Sequence, residues 1–196
     1  MTFTQGRNLA ALAMLALLAG CISFGAKAPK RLIGLTAEAT APAGPLAQGR
    51  PGETLIVLDP QTEQRLDVQR VAVQVSDTQI AYVKDVLWVE RPARLFRHLL
   101  AETIRTRGKH LVLEANDQSS SGNQSLSGRL VDMGYDARSR SVVVRFDAMR
   151  VNAKGAIEAQ RFEAVEPGIG PDSEEIAPAL NRAANKVAAQ VADWVG

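Results

Sequence analysis

The chain has a single cysteine, Cys21, among its 196 residues, which excludes an intrachain disulfide and any zinc site built on paired thiolates. Its only two histidines, His98 and His110, leave too few ligands for the usual zinc sets. Glu102 falls one helical turn beyond His98, but two ligands make no metal site, and the expectation is no metal and no cofactor. Aromatic residues make up 5% of the chain, too few for the stacking platforms that single-stranded nucleic acids use. Lys and Arg number 23 against 21 Asp and Glu, so the basic footprint of a nucleic-acid binder is missing too. The amino-terminal apolar run, Leu9 to Leu18, is about half the roughly 20 residues that cross a bilayer as a helix. Catalytic signatures are equally scarce. Ser119 to Ser121 lack a Gly-x-Ser-x-Gly elbow, and in Gly168-Ile169-Gly170-Pro171 the proline removes a donor that a phosphate nest would need. No enzyme class is indicated.

What is present begins with Arg7 ahead of the short apolar run, the layout of a secretory signal. The following Leu18-Ala19-Gly20-Cys21 resembles the lipobox of bacterial lipoproteins. That resemblance implies cleavage between Gly20 and Cys21, and it makes Cys21 the lipid-attachment residue, carrying a diacylglyceryl group and an N-acyl group such as palmitate. Each buried CH₂ of such chains contributes about 0.8 kcal/mol, and two or more chains anchor stably without a transmembrane span. Ile22, rather than aspartate, follows the cysteine, which points to the periplasmic face of the outer membrane. The expected organisation is a signal peptide at 1–20, a lipidated amino terminus with a tether and Pro/Ala-rich loop at 21–52, and one α+β domain at 53–196.

A short strand is expected at Arg31–Thr36, ahead of the proline-rich loop. Thr54–Leu58 is a β-branched run closed by Asp59-Pro60. Leu66–Val75 alternates with a change of phase near Gln69-Arg70, read as a bulge or a bend within a strand. Ile80–Val83 and Val86–Val89 are read as two further extended pieces. Pro92 opens a helix whose Leu95, Phe96, Leu99, Leu100, Thr103 and Ile104 form an apolar stripe, with Arg94, His98, Ala101 and Arg105 opposite and Gly108 as the stop. Leu111–Ala115 is a strand and Asn116–Ser125 a loop. Leu126–Tyr135, Ser141–Val151 and Ala156–Val165 form an antiparallel meander on short turns; in the middle strand Val142, Val144, Phe146 and Ala148 face the core, with Arg145 and Asp147 opposite. Asp172 and Glu175 suggest a capping-box relative before a helix with Ile176, Leu180, Ala183, Ala184, Val187, Val191 and Trp194 on one face. The sum is a single α+β domain, a mainly antiparallel sheet with two helices packed on one face.

The lipobox at Cys21, the early Leu32-Ile33-Gly34-Leu35, the stretch Ile80-Ala81-Tyr82-Val83 through Trp88 to Arg94-Leu95-Phe96-Arg97-His98-Leu99-Leu100, and the closing amphipathic helix resemble the ABC-type transport auxiliary lipoprotein family, which includes the PqiC-type proteins. The resemblance implies a non-enzymatic accessory role in systems pairing an inner-membrane ABC transporter with MCE-domain proteins that move lipids across the periplasm. The expected partners are those MCE and ABC subunits, the membrane through its anchor, and other copies of the chain. Tyr82 and Trp88 are candidate interface residues, with core packing as the competing assignment. Alternatives are a lipid carrier, which needs an apolar cavity of several hundred Å³, and an envelope assembly lipoprotein uncoupled from any transporter.

Overall fold

The computed structural model describes residues 31–44, 54–115 and 124–196. The signal segment, Cys21, the tether and most of the loop after Ala115 lie outside these residues. In chain order the elements are β1 (Arg31–Ile33), β2 (Thr54–Leu58), β3 (Gln61–Thr62), β4 (Arg70–Gln74), β5 (Ile80–Trp88), α1 (Pro92–Arg105), β6 (Leu111–Ala115), β7 (Gln124–Asp136), β8 (Ser141–Val151), β9 (Ile157–Pro167) and α2 (Ser173–Val195). The nine strands form one mixed sheet whose longest ladders are antiparallel, joined by two helices into the expected α+β domain.

β7 is the spine of that sheet. Its side chains Leu126, Leu130, Met133 and Tyr135 are all buried, and the step from even to odd positions coincides with a register shift between Leu130 and Asp132. One extra residue there keeps every large side chain on the core face. β8 runs antiparallel along the whole of one edge of β7, and β9 continues the meander on β8 without any shift of register. The other edge of β7 is tiled end to end by β2, β3 and β4, all parallel to it. These parallel pairings were not expected from the sequence, because no local turn links the strands that make them. Beyond them, β6 flanks β2, and β5 with β1 flanks β4.

Three strand expectations change, the first being β1, which ends at Ile33 and not at Thr36. Only Arg70–Gln74 of the segment 66–75 is a strand. Before it, a turn bonds the Leu66 and Asp67 N–H groups to Glu63 O at 2.9 and 3.2 Å, which drops Leu66 into the core at 1% exposure. The change of phase in the sequence therefore marks a strand start, and the expected irregularity is there too, as a shift of register against β5 between Arg70 and Ala72. Conversely, the pieces around Tyr82 and Trp88 belong to one strand, β5, interrupted by Asp85 at φ 56°, a left-handed conformation that aspartate tolerates better than most residues.

α1 begins at Pro92 and buries Leu95, Phe96, Leu99, Leu100 and Ile104. At roughly 1.5 to 3 kcal/mol for each large side chain removed from water, this stripe is a principal support of the fold. Phe96 meets Phe146 of β8 edge-to-face at 5.3 Å between ring centroids. Ala101 was expected on the wet side and is instead fully buried. α1 is wedged among α2, β2 and β6, so more than one stripe of it is covered. α2 packs on β8 and β9, with Ala179, Ala183, Ala184, Val187, Ala188 and Val191 at 0% exposure. Four of these six are alanines, which lets the helix axis sit close to its neighbours. Asp172 is its N-cap residue but makes no side-chain cap bond. The Glu175 carboxylate reaches past Pro171, which has no N–H, and accepts from Gly170 N at 2.9 Å. No helix among the described residues is long and apolar enough to cross a membrane.

Candidate functional site

With both helices packed against the core, the meander turns its other face outward, and cross-strand register decides which side chains stand there. Asp132, Arg145 and Glu163 are direct partners across β7, β8 and β9, as are Arg129, Asp147 and Arg161 in the next row. Arg145 Nη1 donates to Asp132 Oδ2 at 2.8 Å, and its Nε donates to Glu163. Arg65, held by the turn before β4, donates through Nη2 to Asp132 Oδ1 at 2.7 Å and to the Val131 carbonyl at 2.6 Å. In the second row Asp147 accepts from Arg161 at 2.5 and 2.8 Å and from Arg129 at 3.4 Å. Two rows of alternating sign thus cross the sheet, Arg65–Asp132–Arg145–Glu163 and Arg129–Asp147–Arg161.

Hydrogen bonds from Arg161 hold the Asp147 carboxyl below its ordinary range against the opposing effect of desolvation, with Arg129 adding to the shift. At the β7–β8 turn Arg138 acts likewise on Asp136 and also pairs with Asp77. Arg65, Arg138, Arg145, Asp77, Asp132 and Asp136 border a shallow groove of about 330 Å³ on this face. Exposed pairs like these contribute little net stability, about 0 to 1 kcal/mol each. What they supply is a fixed pattern of charge, which selects partners and orients them.

A second charged cluster closes the opposite end of the sheet. Arg97 of α1, 6% exposed, meets Asp59 at 2.9 Å and Glu114 at 3.3 Å. Glu114 also accepts from Arg105 at 2.9 Å and pairs with His98. Burial pushes the Glu114 carboxyl up, but the Arg105 hydrogen bond and the charges of His98 and Arg105 outweigh it, and the net shift is downward. The expected neighbour of His98, Glu102, is engaged elsewhere, accepting from Ala41 N at 2.7 Å. Among the described residues no group of three or more His, Cys, Asp or Glu is placed to hold a metal ion.

A third feature ties the amino-terminal segment to the helices. Asn181 Oδ1 accepts from Thr36 N at 2.8 Å, and Asn185 binds Thr36 O and Glu38 N, each at 2.9 Å. With Glu102 holding Ala41, residues 36–41 are strapped across α2 and then α1. Arg31, just upstream, pairs with Glu174 at the start of α2 at 2.8 Å. The chain therefore enters the domain already fixed to both helices.

Of the residues singled out in the sequence, Cys21 lies outside the described residues. Trp88 is 1% exposed and belongs to the core, so no partner can reach it in this fold. Tyr82 is half-buried beneath the Arg70 guanidinium, 4.2 Å above its ring, and only its remaining surface can make contacts. The charge rows were legible only in part. Alternation marks Arg145 and Asp147 as outward, but pairing them with Asp132, Glu163, Arg129 and Arg161 requires the strand register.

A family model described as an ABC-type transport auxiliary lipoprotein component matches residues 35–192. Among solved structures, a protein from Xanthomonas campestris is similar with a TM-score of 0.68 at 15% identity, over 84% of this chain and 94% of that one. An uncharacterized protein of known crystal structure is similar with a TM-score of 0.62 at 16% identity, over 74% and 93% of the two chains. At these identities the likeness is one of fold. No curated protein matches.

Proposed function

The chain belongs to the ABC-type transport auxiliary lipoprotein family, and from that premise we propose that it is a lipid-anchored periplasmic accessory component of an MCE/ABC-type lipid transport system, docking the transport conduit at the outer membrane. The family match carries this reading, since it spans 35–192, nearly the whole domain. The lipobox-like Leu18-Ala19-Gly20-Cys21 supports the anchor. About ten residues separate Cys21 from Arg31, and at full extension they reach at most roughly 35 Å. The strap on α2 and α1 fixes where that tether leaves the domain.

The open face of the meander is the docking surface in this reading. Its charge rows favour a partner of complementary pattern, which suits recognition of a conduit protein better than catalysis. The space between sheet and helices is filled by side chains such as Phe96, Phe146, Leu130 and Leu180, all at 1% exposure or less. Two grooves among the described residues, of about 330 Å³ on the open face and about 550 Å³ near the start of α1, are bordered mainly by charged and polar residues. This favours a docking body over a carrier that encloses an acyl chain.

The test is to purify the lipidated chain from membranes in mild detergent and identify what accompanies it. Recovery of MCE-domain and ABC subunits is the expected result; recovering neither, with other envelope complexes intact, sinks the transport role. In the same cells Cys21→Ser should abolish labelling by radioactive palmitate and sedimentation with membranes.

A further inference from the structure

Among the described residues the sheet has four edge strands, β1, β3, β6 and β9, and β9 is the longest at eleven residues. It pairs only with β8 among the described residues, without a bulge, and its outer edge leaves roughly 37 Å of backbone open to pairing. Natural edges of this length are usually blunted by bulges, proline or charge. Here the proline, Pro167, sits at the very end, and the charges are arranged in a way that admits one partner.

The two charge rows end on β9 with opposite signs, Glu163 closing one and Arg161 the other, two residues apart on the same face. We propose that β9 pairs antiparallel with β9 of a second copy about a two-fold axis through Phe162, making one continuous sheet across a dimer. In that register Arg161 stands opposite Glu163 of the other copy, twice over. Each four-membered row then continues into the three-membered row of its partner, so the signs alternate without a break across the interface.

The same register sets Val165 opposite Ala159 and Ile157 opposite Pro167, covering two of the larger exposed apolar side chains, at 44% and 67% exposure. On the helix side Glu158 stands opposite Glu166, also twice over, the one like-signed combination. Each of these carboxylates is already held by cations, Glu158 by Arg150 at 2.8 Å and Glu166 by Lys186 at 2.5 Å and Arg182 at 3.2 Å. A register slipped by two residues sets Arg161 against Arg161 or Glu163 against Glu163, so repulsion selects the proposed one. Backbone bonds supply the affinity and the charges supply the register. A two-fold interface of this kind is closed and does not propagate into fibres.

The test uses the full lipidated chain in detergent, with Arg161→Glu and Glu163→Arg variants sized by sedimentation and checked for native thermal unfolding. Each variant alone brings like charges together twice and should weaken the dimer at least about a hundredfold. Mixed in equal amounts, the two should form a heterodimer, because each then offers the other the matching sign. Ala159→Cys and Val165→Cys chains should cross-link by a disulfide when mixed and not when separate, with the unsubstituted chain as control. A wild-type chain that stays monomeric, variants that remain dimeric alone, or a mixture that neither dimerises nor cross-links would overturn the proposal.

Discussion

The side-chain amide of Asn185 donates to the backbone carbonyl of Thr36 at 2.9 Å, and this bond joins the middle of α2 to a residue 149 positions earlier in the chain. Together with the bond from Glu38 N to Asn185 Oδ1, it satisfies the segment as a neighbouring strand would. Asn185→Ala should release residues 34–41 from the helices. The expected cost is about 1 to 2 kcal/mol for two lost bonds to partly exposed backbone. Faster proteolysis and faster amide exchange confined to this segment would confirm it; unchanged protection there would show that the strap holds by other means.

Arg97 is the most buried guanidinium in the domain, meeting Asp59 and Glu114 at once. Arg97→Met keeps the side-chain length and leaves two carboxylates short of a cation. Removal of one member of a buried ion pair costs about 3 to 5 kcal/mol, and the lower value applies because Asp59 and Glu114 keep some solvent contact. Urea unfolding should report a loss of about 3 kcal/mol. A loss under about 1 kcal/mol would mean that water replaces the pairing with little penalty.

Glu114 and Glu166 are two of the carboxyls held low in the folded state, and they contribute to its acid sensitivity. Burial raises the Glu114 carboxyl, yet bonds and charges from Arg105 and His98 bring it below the ordinary value of 4.5. Lys186 and Arg182 lower Glu166 against a smaller desolvation effect. A carboxyl lowered in the folded state stabilises fully above its unfolded pKa, and that stability is lost as pH falls through the folded pKa. Thermal midpoints should therefore be level above about pH 5.5 and decline below about pH 4.5. Glu114→Gln should lower the plateau and flatten the decline; an unchanged acid slope would remove Glu114 from this role.

Gly128 of β7 adopts φ 156°, and a Cβ there would lie 2.2 Å from Asp147 O and 2.7 Å from Phe146 Cζ. The obstruction is a backbone atom of the adjoining strand, which cannot rotate away. Gly128→Ala should destabilise by at least about 2 kcal/mol, chiefly through displacement of β8 from β7. Chemical denaturation at neutral pH measures this, and a near-wild-type midpoint would show that the ladder shifts at little cost.

Much of this architecture is legible in the sequence. The period-two runs in 126–165 became β7, β8 and β9, because each needed only its own alternation and a short turn to form. The stripe from Leu95 to Ile104 became α1 for the same local reason. What escaped was set by distant partners. Ala101 is small enough to be read either way, and only α1's position among α2, β2 and β6 buries it. Trp88 offered both an interface and a core assignment, and the packing of β5 decided for the core. The alternation at Leu66 imitated a strand, but the backbone there is a turn bonded to Glu63, and Leu66 is buried by its place against the core and not by a strand's pleat.

The sequence alone determined the element types, the outward placement of Arg145 and Asp147, and the lipobox-like segment ahead of the domain, since these depend on periodicity and local chemistry. The tertiary structure alone decided that β2, β3 and β4 tile one edge of β7, that residues 36–41 are strapped to both helices, and that scattered charges line up in two rows ending with opposite signs on β9. The reason is that register and long-range contact are properties of pairs of segments. Residues as far apart as Arg65 and Glu163 gain a relationship only when the strands between them are laid side by side.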